Sequence, residues 1–219
     1  MIQNYSNREE AGKILAKLLH SYAGQKDALV LALPRGGVPV AYEIAKALHL
    51  PLDVFIVRKL GVPGHSELAM GAIAMGGATV FNDDIVHELQ ISQTEINRVI
   101  ATEEQELLRR QAVYRGDKPF PPLRGKTIIL VDDGVATGAT IRSAILSLKK
   151  VQPATLIVAV PVADRSICKI LQPLVDEFYC PLQPDQLYAV GAWYEDFSQT
   201  EDEEVFSLLR KAEKFKAVH

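Results

Sequence analysis

Four short and almost unbroken apolar runs constrain this chain more than any other feature: "ALVLAL" (28–33), "DVFIV" (53–57), "TIILV" (127–131) and "TLIVAVPV" (155–162). None approaches the roughly 20 residues that a membrane-spanning helix needs. None alternates polar with apolar residues either. A strand that is apolar throughout is buried on both faces, as in a parallel sheet covered by helices. The intervening segments supply those helices. Ala11, Ile14, Leu15, Leu18, Leu19 and Tyr22 recur at helical spacing behind a Ser6–Glu9 capping box. Segments 38–48, 138–150 and 164–171 read as further helices. Ser92 and Glu95 form a second capping box that opens one long helix over 92–114. "VDEFYC" and "LYAVGAW" read as later strands, and 201–216 as a closing amphipathic helix. This alternation predicts an α/β fold with a mostly parallel, twisted sheet flanked by helices.

Composition adds mainly exclusions. Of 219 residues, 48% are apolar and 23% charged, which suits a soluble globular protein. The net charge of −3 offers no basic surface for nucleic acid. The polar start "MIQNYSNREEAGK" is unlike a secretory signal. Cys168 and Cys180 lie in no CxxC or zinc-type spacing, so reduced thiols in a cytoplasmic protein are expected. No repeat, low-complexity tract or linker divides the chain. It reads as one domain over 1–219, with a helical insertion at about 81–122.

The stretch "VDDGVATGAT" (131–140) carries the chemistry. In open parallel sheets, ligands sit outside the carboxyl ends of the strands, which is where Asp132 and Asp133 fall. Gly134 to Thr140 then turn into a helix with little side-chain bulk. Backbone N–H groups at such a helix start make an anion cradle, and Thr137 and Thr140 add hydroxyls. Carboxylates accept hydrogen bonds from vicinal hydroxyls. A sugar phosphate satisfies both halves of the segment, whereas a plain turn would need neither. The GK[ST] ending of a nucleotide-binding P-loop and the GxGxxG spacing of a dinucleotide fold are both missing.

"TIILVDDGVATGAT" resembles the ribose-phosphate motif of type I phosphoribosyltransferases. The resemblance implies that fold, with a small hood region, and use of phosphoribosyl pyrophosphate with Mg²⁺. Asp132 and Asp133 would hold the ribose 2- and 3-hydroxyls, and Ala136, Thr137, Gly138, Ala139 and Thr140 the 5-phosphate. "LPRGGVPVA" (33–41) is similar to the family's pyrophosphate loop. That implies anion binding by Arg35, Gly36 and Gly37, and a cis peptide near Pro34–Arg35–Gly36. "VRKLGVPGHSELAMG" resembles the start of the mobile loop. Arg58 and Lys59 would neutralise pyrophosphate there, with 61–67 as a lid. "LYAVGAWYEDF" (187–197) resembles the base-side segment of purine-salvage members: Tyr188 or Trp193 would stack on the base, and Glu195 would join Asp132 and Asp133 around the metal.

Two departures leave the acceptor open. Hypoxanthine-guanine enzymes carry an acid where this chain has Ala136. The helix over 92–114 is absent from the compact family pattern; its Arg109 and Arg110, with Arg115, could cover an anionic substrate or form a contact between copies, or simply face solvent. The chain is also similar to a group of bacterial phosphoribosyltransferase-like proteins whose acceptors are unassigned. The expected activity is Mg²⁺-dependent transfer of a phosphoribosyl group to a nitrogenous acceptor, a nucleobase, with a homodimer expected from the family. The alternative is a non-catalytic sensor of phosphoribosyl pyrophosphate or a nucleotide.

Overall fold

The computed structural model describes residues 4–215, apart from the side chains of residues 66 and 67. In chain order the elements are α1 (Arg8–Leu18), β1 (Ala28–Ala32), α2 (Gly37–Leu48), β2 (Leu52–Val54), β3 (Val57–Val62), β4 (His65–Ala74), β5 (Thr79–Phe81), α3 (Asp83–Glu88) and α4 (Gln93–Arg115). They continue with β6 (Thr127–Val131), α5 (Ala139–Lys150), β7 (Thr155–Ala159), α6 (Arg165–Leu171), β8 (Glu177–Tyr179) and α7 (Asp202–Ala212). Five strands form a parallel sheet in the order β2-β1-β6-β7-β8. A second sheet, antiparallel, has the order β3-β4-β5.

The apolar runs are buried for the expected reason. Along β1 and β6, Val30, Ala32, Ile129 and Val131 face a core shared with α1, α2 and α7. Their neighbours Leu29, Leu31, Ile128 and Leu130 face a second core, under α4, α5 and the antiparallel sheet. Each such Leu, Ile or Val contributes on the order of 1.5–3 kcal/mol by leaving water. A third cluster joins Tyr5 and Ala11 to Val162, Leu187 and Tyr194.

Four local expectations change. The α1 cap is Asn7, whose side chain accepts from Glu10 N at 2.9 Å, while Ser6 N donates to Glu10 Oε2 at 2.6 Å. The capping pair therefore sits one residue later than Ser6–Glu9. The run 53–57 divides between two sheets: Leu52–Val54 pair with β1, and Val57 opens β3. Phe55 and Ile56 are buried at the junction, so hydrophobicity continues where strand identity does not. The expected loop over 58–67 is largely a β-hairpin of β3 and β4, with register shifts on both sides of Gly61. Finally, 187–193 form no strand. Val190–Trp193 make a 3₁₀ turn, and Tyr194 bridges Tyr5 alone.

The capping box of α4 forms as expected, and α4 lies against β3. Helix α7 falls within the predicted amphipathic segment, of which Lys216 lies outside the described residues. Cys168 and Cys180 are free thiols. Among the described residues no helix is long and apolar enough to cross a membrane.

Candidate active site

The chain leaves β1 through α2 to β2 on one side, and the next strand of that sheet, β6, lies on the other. The loops after β1 and β6 therefore diverge and leave a crevice at their carboxyl ends. Register sets what meets there. Ala32 pairs with Val131, and Leu33 N donates to Val131 O at 2.9 Å. Gly36 and Gly37 thus lie against Asp132 and Asp133, before the second loop turns away toward Val162 and Ala163.

Gly36 lies directly against the second acid. A Cβ at this position would collide with Oδ2 of Asp133, so only glycine allows the turn and the carboxylate to coexist. The Pro34–Arg35 peptide is cis, matching the expectation for this loop. Gly37 N donates to Leu33 O at 3.1 Å, so of the three residues expected to meet an anion here Gly37 already spends its N–H within the chain. The Arg35 guanidinium faces the start of α7, 3.5 Å from Glu201 and 3.7 Å from Asp202.

The acid pair is largely withdrawn from water. Asp132 Oδ1 accepts from Asp133 N at 2.9 Å. Asp133 Oδ2 accepts from Arg8 Nε at 2.9 Å and lies 2.8 Å from Arg8 Nη2. The Tyr194 hydroxyl donates to the Asp133 carbonyl at 2.6 Å. Burial, then the neighbouring Asp133 charge, pushes the Asp132 carboxyl well above the usual range. Burial also raises Asp133, with Arg8 opposing. Burial first, then the Asp133 charge, raises the Tyr194 phenol.

Beyond the acids, Val135 N donates to Val162 O, in the loop after β7, at 2.9 Å. Gly138 caps α5 at φ +77°, and a Cβ there would also meet Ile167 Cγ2 at 2.7 Å. The first-turn N–H groups of α5 have no partner inside the helix. Thr137 and Thr140 are exposed beside them, while Ala136 is half-buried. Ala139 and Thr140 also line a cavity of about 540 Å³, together with Lys59, Arg142 and the antiparallel sheet.

Not every expected residue joins this group. Arg58 is turned toward α4, where Glu103 Oε2 lies 2.8 Å from Nε and 2.7 Å from Nη2. Among the described residues no three His, Cys, Asp or Glu side chains converge to hold an ion. Of the three acids expected on the metal side, Asp132 and Asp133 are partly buried and Glu195 is exposed. Tyr188 is 89% exposed, and its hydroxyl donates to Gln186 at 2.7 Å. Trp193 is half-buried, its carbonyl accepting from Tyr5 N at 2.9 Å. On α4, Arg109 and Arg110 bond Glu106 of the same helix. Arg115 is buried and bonds both Asp53 oxygens, at 2.8 and 2.9 Å.

Two residues that the sequence reading passed over stand beside the acids, Arg8 and Tyr194, with Phe197 packed against both. Arg8 is merely the first residue of a helix and carries no motif. Tyr194 adjoins Trp193, and only the 3₁₀ turn decides which of the two aromatics faces Asp133.

Comparison with known proteins agrees with this architecture. The model of the phosphoribosyl transferase domain family matches residues 1–172. A Mycobacterium tuberculosis H37Rv protein named "Putative phosphoribosyl transferase Rv0571c" is 41% identical over 208 residues. Those residues are 95% of this chain but 47% of the relative, so the chain spans about half the length of the curated relatives it matches. The crystal structure of TT1426 from Thermus thermophilus superposes with a TM-score of 0.85 at 37% identity, covering 95% of this chain and 98% of that one. With a family model covering most of its length, and a parallel sheet whose two central loops enclose an acid pair, the chain belongs to the phosphoribosyl transferase domain family.

Proposed function

We propose that this protein moves the 5-phosphoribosyl group of phosphoribosyl pyrophosphate to a nitrogenous acceptor, a nucleobase, and releases pyrophosphate. The observation that carries this reading is the packing of the Gly36 turn against Asp133, on the loop that leads into α5. A diol-binding pair and two anion-binding backbone turns then share one crevice. Asp132 and Asp133 accept from the ribose hydroxyls. The α5 N–H groups, with Thr137 and Thr140, hold the 5-phosphate. The Arg35–Gly36 turn meets the pyrophosphate, and Lys59 borders the phosphate side across the neighbouring cavity.

The donor set suits a Mg²⁺ that arrives on substrate oxygens. Asp132 Oδ1 and Asp133 Oδ2 are already engaged within the chain, leaving too few oxygens for a protein cage. When bound, the ion would neutralise the leaving group. Displacement at C1 passes through an oxocarbenium-like state, as in glycoside chemistry. The chain's own contribution is to fix the sugar and keep water out.

A second reading is a sensor that binds without transfer. It is favoured by the pairing of Arg58 with Glu103, which occupies a cation that a leaving pyrophosphate would use. Calorimetric titration with phosphoribosyl pyrophosphate and Mg²⁺, followed by pyrophosphate release with a panel of bases, separates the two. Base-dependent release supports the transferase, and binding without release supports the sensor. The double variant D132N/D133N should weaken binding by about 100-fold or more while its circular dichroism stays unchanged. Unaltered affinity would overturn the site assignment.

A further inference from the structure

We propose that Arg8 is a positioning residue, setting the carboxylate of Asp133 for the sugar hydroxyls and tying it to the segment over 187–197. The inference rests on reading Asp133 as a ribose ligand. Arg8 comes from the first turn of α1, 125 residues away in sequence. Its guanidinium has three separate engagements. Nε and Nη2 reach Asp133 Oδ2 at 2.9 and 2.8 Å. Nη1 donates to Ser198 O at 2.7 Å, and Cζ lies 3.9 Å above the centroid of the Phe197 ring.

These contacts close a circuit. Phe197 packs on Tyr194 with ring centroids 5.0 Å apart, and the Tyr194 hydroxyl returns to the Asp133 carbonyl at 2.6 Å. The acid is thus gripped at its carboxylate by Arg8 and at its backbone by Tyr194. Both Arg8 bonds fall on Oδ2, so Oδ1 is not used by Arg8. Gly36 lies against the same oxygen, which restricts rotation of the carboxylate. Among the described residues no other cation is ion-paired with either acid. The side chains of Arg8 and Asp133 are 11% and 15% exposed, so solvent screens the pair little. Lysine could keep the charge, but it cannot present a planar fork to an acid and a carbonyl while stacking on a ring.

The test is a double-mutant cycle read by calorimetry. Affinity for phosphoribosyl pyrophosphate with Mg²⁺ is measured on wild type, R8Q, R8K, D133N and R8Q/D133N, below their melting temperatures. R8Q should bind about tenfold or more weakly, with R8K between it and wild type, as expected for losing a hydrogen bond to a charged group. In the D133N background the same change should cost less than about twofold, because Arg8 acts through that carboxylate. A merely structural arginine would lower the melting temperature in both backgrounds and leave the affinity of the folded protein unchanged. Unchanged affinity in R8Q, or equal losses in both backgrounds, overturns the role of Arg8 while the acid site stands. Unchanged affinity in D133N, or no binding by wild type, overturns the acid site itself and Arg8 with it. If R8Q does not fold, R8K and R8K/D133N complete the same cycle with the same expected signs.

Discussion

The acid loop after β6 and the hairpin of β3 and β4 carry opposite charges toward what we propose is one substrate, and the molecule secures them differently. Asp133 is tied at its carboxylate, tied at its carbonyl and covered by the Gly36 turn. Arg58, on the hairpin, has among the described residues one ion pair, with Glu103, the two side chains 27% and 22% exposed. Such a partly exposed pair contributes roughly 1 kcal/mol or less. A group that must be aimed at two hydroxyls is held by several contacts at once. A cation that must meet a diffuse negative charge can be held by one contact, which a phosphate oxygen can replace at small cost. The difference separates recognition by geometry from recognition by charge.

The strongest way to break the comparison is G36A. A methyl group cannot share space with Asp133 Oδ2, and Arg8 keeps that oxygen from moving aside. We expect a loss of about 1–3 kcal/mol in stability from overpacking, measured by urea unfolding, and a larger loss of sugar-phosphate binding. Wild-type stability would mean that the acid loop is looser than its contacts imply.

The pH dependence of stability sharpens the same contrast. Burial and the Asp133 charge raise the Asp132 carboxyl above its ordinary value of 3.8. A carboxyl with a raised folded-state pKa contributes stability that is fully present below its unfolded value and is lost as pH rises through the folded one. Ligand-free D132N should therefore melt higher than wild type at neutral pH, with the gap closing toward about pH 4. A gap that stays constant from acid to neutral pH would contradict the burial of this acid.

On the hairpin side effects should be smaller. E103Q releases Arg58 and should change stability by less than about 1 kcal/mol. It should also tighten pyrophosphate binding if Arg58 turns to the substrate, and competitive titration with pyrophosphate and Mg²⁺ reads this directly. The smallest effect is expected from Y188A, since its ring is 89% exposed. A change of at most about 0.5 kcal/mol in stability is expected at such a surface position, with little change in base-dependent turnover. A large fall in turnover would support Tyr188 as a stacking residue.

The legible parts of the fold were those written as local pattern. The runs of β1, β6 and β7 are apolar on both faces, and helices cover both faces. The α4 capping box needs only residues three apart, and it formed. Legibility failed where a second surface decided the outcome. The glycines and proline of 61–64 punctuate a strand pairing as readily as a loop, and the partner β4 made the difference. Likewise Tyr188, Trp193 and Tyr194 are neighbouring aromatics of similar character, and the turn over Val190–Trp193 sets which is exposed and which faces Asp133.

From sequence alone came the parallel α/β architecture, the place of Asp132 and Asp133 at a strand end, and the small-residue turn into α5. Each follows from period, burial and backbone sterics within a few consecutive residues. Tertiary structure alone decided that Gly36 lies on Asp133, that Arg8 holds its carboxylate across 125 residues, and that Arg58 faces Glu103. Those contacts depend on strand order and helix packing, and no local pattern in a chain records which distant segment its ends will meet.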